Sequence, residues 1–167
     1  MNTVDVVRFG HLTLLGSLES PSIDMLDQPG ACGSWSIKDI VAHLGSYELV
    51  LIDILDEAAG NGSGPTLDRF REMGAGFNDA EVIKRRDQGF DDVLDELNGA
   101  HETVLTRLSP MTPMTPMTPE HLRLPGTIPW YGAEYSLDDL IVYMYYGHKR
   151  EHAAQIAAFH DRLSTDR

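Results

Sequence analysis

The side chains best suited to chemistry in this chain are its seven histidines. Histidine both binds transition metals as a neutral imidazole and exchanges protons near neutral pH. His148 and His152 stand four apart in a segment whose apolar residues Leu137, Ile141, Met144, Ile156 and Phe159 recur at helical spacing. On a helix both fall within that apolar face with Cβ atoms about 6 Å apart, a separation from which two rings reach one ion. Each ring nitrogen buried in an apolar interior needs a partner, and a shared cation satisfies one nitrogen of each ring. The competing reading is two core histidines hydrogen-bonded to neighbouring helices, because His-x-x-x-His arises by chance on many helices.

A third ligand has to come from another helix, and the candidates are His43, His11 and His101. His43 sits on the flank of an apolar stripe beside Tyr47. His11 and His101 occupy central slots, where a lone histidine is ordinarily a packed, hydrogen-bonded core residue. His121 and His160 read as surface residues. Glu151 directly precedes His152 and points off the stripe, so the His-Glu-x-x-His arrangement of zinc peptidases is not reproduced. Cys32 has no basic neighbour nearer than Lys38 and reads as structural rather than nucleophilic. Arg150 falls on the solvent face.

These residues must be positioned by helices. Val4, Val7, Leu14 and Leu18, with His11 between, predict a first amphipathic helix. Trp35-Ser36-Ile37-Lys38-Asp39-Ile40 supplies a Ser N-cap with an acid three residues on, so a second helix starts at Ser36 and runs to about Gly60. A short helix is expected over LDRFREM. Asn78 followed by Glu81 resembles another cap, and a long third helix is predicted from there through Leu108, bent rather than broken at Gly89 and Gly99. Six of the nine prolines lie between Pro110 and Pro129, including Met-Thr-Pro three times in succession. That stretch is expected as a non-helical, semi-rigid surface excursion over 110–130. Tyr135-Ser136-Leu137-Asp138-Asp139 caps the last helix, expected to reach about Arg162. With no alternating strand pattern, the expected fold is all-α: an up-down four-helix bundle, one domain over 1–167, with the Pro-rich loop before the last helix.

Composition narrows the partners. With 13 Lys+Arg against 26 Asp+Glu the net charge is −13, and no basic stripe offers a track for nucleic acid. The longest apolar run is too short for a bilayer span, which needs about 20 residues. A single cysteine and a start, MNTVDVVRF, without a secretion-signal profile suit a reducing cytoplasm.

The segments WSIKDIVAHLGSYE and YYGHKREHAAQI are similar to the two signature regions of the DinB/YfiT-like family. The family pattern resembles Trp-Ser/Thr-x-x-Asp-x-x-x-His-Leu on the second helix and His-x-x-x-His on the last, often with Gln three residues further on. His43, His148 and His152 match it; the Met-Thr-Pro repeat does not. The resemblance implies a four-helix bundle with a divalent metal, zinc or nickel, on those three histidines, with water or substrate at the remaining positions. It implies an enzyme using a low-molecular-weight thiol, of the mycothiol or bacillithiol type, for S-transfer and detoxification of a small-molecule electrophile. It also implies pairing into homodimers, for which Trp130 and Tyr131 offer an anchor; otherwise they plug the end of the bundle. Tyr47 and Gln155, each about a turn from a ligand, would line the pocket or hold a ligand's second nitrogen, with Glu48 a weaker candidate. A metal-dependent hydrolase and a non-catalytic small-molecule or metal-binding stress protein are the alternatives.

Overall fold

A computed structural model describes residues 2–109 and 118–165. Among these residues the fold is all-helical; an isolated bridge between Cys32 and Trp35 is the nearest approach to a strand. The helices are α1 (Thr3–Leu18), α2 (Ile37–Ala58), α3 (Pro65–Met73), α4 (Phe77–Lys84), α5 (Phe90–Leu108), α6 (Pro119–Arg123), α7 (Leu137–Ile141) and α8 (His148–Thr165). A π-helical stretch, Val142–Gly147, joins α7 to α8 in one continuous rod. α2 packs along α5, and α1 along α8 and the π stretch, while α1–α5 and α2–α8 contacts link the two pairs.

Local chemistry explains where these helices begin. Ser36 and Asp39 form a reciprocal capping box at the start of α2, and Ser136 and Asp139 repeat it at α7. The Asp53 carboxylate on α2 accepts the Thr66 and Leu67 amides at the first turn of α3. Gly64 is required beside it, because a Cβ there would sit 2.2 Å from that carboxylate.

Three expectations are corrected. The long third helix is two: α4 ends at Lys84 and α5 starts at Phe90. The chain breaks where Arg85 turns inward, its guanidinium clamped between Glu81 at 2.8 Å and Glu96 at 2.6 Å. Gly89 then serves as the N-cap of α5, whereas Gly99 stays inside α5 with open space around its absent side chain. Asn78 is not a cap, since α4 begins at Phe77, and its side chain accepts a hydrogen bond from the Tyr47 hydroxyl. The Pro-rich stretch is not wholly a surface excursion either. Its Met-Thr-Pro repeats lie almost entirely outside the described residues, but Pro119 opens α6 at the first-turn position that tolerates proline, and Leu122 and Ile128 join the core. Trp130 packs edge-on to Phe70 with Arg71 over its ring, so it covers α3 of its own chain.

The core has two apolar halves. One gathers Val50, Leu51, Ile54, Leu55, Phe77, Val104, Leu137 and Ile141. The other gathers Leu14, Ile37, Ile40, Leu44, Leu97, Ile156 and Phe159. In chain order, His11, Glu48, His101, His148, Lys149 and His152 fall between the two halves on α1, α2, α5 and α8, and His43 stands between Ala42 and Leu44 of the second half. No helix among the described residues is long and apolar enough to cross a membrane.

Candidate metal centre

His43 stands on α2 two turns beyond its capping box; His148 and His152 occupy the first turns of α8, directly after the π stretch. The structure brings these three rings together between the two helices. The Nε2 atom of His148 lies 3.0 Å from Nε2 of His43 and 3.0 Å from Nε2 of His152. One potential ligand nitrogen from each ring falls within 4.8 Å of the others. His43 and His152 are buried, and His148 is half-buried on the side that opens outward.

Proton counting shows what such a cluster suits. A neutral imidazole nitrogen is either a donor with one hydrogen or an acceptor with one in-plane lone pair. His148 Nε2 therefore makes a well-formed hydrogen bond to one of these neighbours at a time, and the other 3.0 Å contact is left poorly satisfied. A cation between the three nitrogens removes the conflict. The far sides of the rings agree: His152 Nδ1 donates to Gln155 Oε1 at 2.8 Å, leaving its Nε2 lone pair free for a metal. The His148 ring hydrogen-bonds the backbone of Met144. His43 Nδ1 is buried with no hydrogen-bond partner among the described residues, and Trp35 and Tyr47 hold the ring by aromatic contact instead. A neutral three-nitrogen donor set fits a borderline-soft divalent ion such as zinc or nickel.

Electrostatics keeps the donors neutral. Burial, followed by the neighbouring histidines, lowers the pKa of His43 to about 2, and burial followed by His152 lowers that of His148 to about 4. Burial also lowers His152. His11, outside the cluster, is lowered to about 4 by burial and then by the Lys149 ammonium. Folding therefore holds these rings neutral while the unfolded chain takes up protons below its ordinary histidine value near 6.5. Their stability contribution is complete above pH 6.5 and is lost progressively as pH falls toward 4. For the chelator-treated protein, each such histidine steepens the decline by up to about 1.4 kcal/mol per pH unit. Urea midpoints measured from pH 7.5 to 4.5 check this; a flat profile would contradict it.

The other candidates have distinct placements. Tyr47 presents its ring edge-on to His43 and His148, and Gln155 holds the second nitrogen of His152. His11 and His101 turn away from the cluster and stack on each other beside Lys149. Glu48 is fully buried and pairs with Lys149 at 2.6 Å. Arg150 is exposed over Tyr146, and His160 lies beside Asp161.

A cavity of about 550 Å³ adjoins His148, lined by residues that include Tyr47, Tyr143, Met144, Tyr146 and Glu151. Sequence reasoning missed most of this wall. The available signal was the run Tyr143-Met144-Tyr145-Tyr146, since four large residues in a row on a helix cannot all face one core. Only Tyr145 is fully buried. Glu151, set aside for pointing off the apolar stripe, faces this cavity because it points off the stripe.

Helices that gather three neutral histidines beside an open cavity define a candidate metal-binding helical protein. The family model of the DinB superfamily matches residues 13–156, and the chain belongs to that superfamily. No curated protein and no solved structure gives a significant match.

Proposed function

We propose that this protein binds one divalent transition metal, zinc or nickel, through His43, His148 and His152 and uses it for thiol-dependent S-transfer to a small electrophile. The convergence of three Nε2 atoms next to a cavity large enough for a small molecule carries the reading. Bound there, such an ion supplies a Lewis acid that brings the pKa of a coordinated thiol or water toward neutrality. The chain's own residues do the rest. Burial keeps the three imidazoles unprotonated, Gln155 fixes the ring orientation of His152, and Tyr47 packs against two of the rings. Tyr143, Met144 and Tyr146 give the open cavity an apolar and aromatic wall against which a thiol and an electrophile can pack. Among the described residues Glu151 is the one acidic side chain lining the cavity, and it accepts the proton that the nucleophile gives up.

The same carboxylate serves a hydrolase equally well, so Glu151 keeps metal-dependent hydrolysis as the second reading. Thiol dependence separates the two. Wild-type protein loaded with zinc or nickel is assayed against epoxide, alkyl halide and activated-alkene electrophiles, with and without mycothiol or bacillithiol. Turnover that requires the thiol and falls about 100-fold or more in Glu151→Gln is expected. Thiol-independent ester or amide cleavage would favour hydrolysis, and absence of any turnover by metal-loaded protein would favour a binding role.

A further inference from the structure

Beside the histidine cluster, one residue from each of four helices meets in a second buried polar group. The Lys149 ammonium on α8 lies 2.6 Å from Glu48 Oε1 on α2, 3.4 Å from His11 Nδ1 on α1 and 3.5 Å from His101 Nδ1 on α5. All four are buried, Glu48 completely. The two imidazoles stack face to face with centroids 3.8 Å apart and planes 10° apart. An ammonium carries three hydrogens; Glu48 Oε1 and His11 Nδ1 accept two of them, and His101 Nδ1 lies 3.5 Å from both the ammonium and Glu48 Oε2. His11 Nε2 donates to Asn98 Oδ1 at 3.0 Å, which leaves its Nδ1 lone pair for the ammonium. Burial pushes the Glu48 carboxyl up, but Lys149 and His101 more than offset it and hold it ionised.

A buried charge pair is a weak source of stability and is best understood where it specifies one arrangement over its neighbours. Apolar layers lie on either side, and their contacts are non-directional; four helices can slide or rotate on them at little cost. The ammonium and its acceptors are directional. Lys149 is the residue next to His148, and Glu48 lies five residues beyond His43, so each half of the ion pair sits within two turns of a putting-together point of the histidine cluster. Rotating α8 by roughly 10° moves a side-chain tip near the helix surface by about 1 Å. Metal-ligand distances tolerate deviations of only about 0.2 Å.

We propose that Glu48, Lys149, His11 and His101 are positioning residues that set the rotation of α2 and α8 so that His43 and His148 converge on the metal. This rests on reading His43, His148 and His152 as ligands. The test is titration of cobalt(II) into chelator-stripped protein, followed by calorimetry and by the ligand-field absorption spectrum. Glu48→Gln/Lys149→Met removes both charges together and leaves neither buried alone. The expected result is a helical protein that binds cobalt(II) about 10- to 100-fold more weakly, with an altered spectrum. His101→Phe keeps the ion pair and the stacking surface while deleting the ring nitrogen that lies against both Lys149 and Glu48; a smaller change in the same direction is expected, and it decides the matter if the double variant does not fold. Unchanged affinity and spectrum in a folded variant, with the wild type binding, would overturn the positioning role alone. A wild type that binds no cobalt(II) would instead overturn the ligand assignment on which it rests.

Discussion

Replacing His148 and His152 together by alanine abolishes metal binding while leaving the protein helical. Three-histidine sites of this kind hold a divalent ion with roughly 10 kcal/mol or more, shared among the ligands. Losing two of three ligands therefore weakens binding by at least about a thousandfold. The fold survives, because both side chains stand in the polar band between two apolar halves of the core. The change also removes the conflict around His148 Nε2, which otherwise meets two neighbours at 3.0 Å. The measurement is metal content by plasma mass spectrometry after zinc or nickel loading and desalting, at matched circular dichroism. About one equivalent in the wild type and none in the double variant is the expected result. Equal metal in both would move the site elsewhere.

The second large effect is on stability. Lys149→Met leaves Glu48 fully buried and without its counter-ion, an arrangement that costs about 3–5 kcal/mol. In a chain of this size that lowers the melting temperature by about 10 °C. Adding Glu48→Gln to Lys149→Met recovers most of the loss, because two matched neutral groups leave no charge buried. Thermal and urea unfolding of the single and double variants checks this. A single variant within about 1 kcal/mol of wild type would mean that water already reaches the carboxylate.

Much of this architecture was legible because it rests on local signals. The Ser36/Asp39 and Ser136/Asp139 boxes mark two helix starts within a residue. The 3-4 spacing of Val7, His11 and Leu14 marks the inner face of α1. What could not be read depends on contacts distant in sequence. The break after Lys84 is made by Arg85 reaching Glu96 across the gap, and local reading sees there only Gly89, which by itself marks a bend as readily as a break. Nothing local to Pro119 or Ile128 shows that the chain returns to the core after the Met-Thr-Pro repeats.

The site divides in the same way. His148 and His152 share a face by spacing alone; spacing left His11, His43 and His101 open as their partner, and the family resemblance alone pointed to His43. The structure gives His43 to the cluster and pairs the other two around Lys149. A lysine beside a ligand offers no sign in sequence that it will be buried, since lysine is usually exposed. The π stretch was hidden for a related reason. Reading the last helix at a constant 100° per residue assumes an uninterrupted α-helix, and Val142–Gly147 departs from it just before His148.

The most direct measurement is X-ray absorption at the zinc edge on wild-type protein loaded with one equivalent of zinc. Three imidazole nitrogens at about 2.0 Å, with one further light-atom ligand, are expected. Zinc coordinated by carboxylate or water oxygens with fewer than two imidazoles would contradict a metal centre formed by His43, His148 and His152.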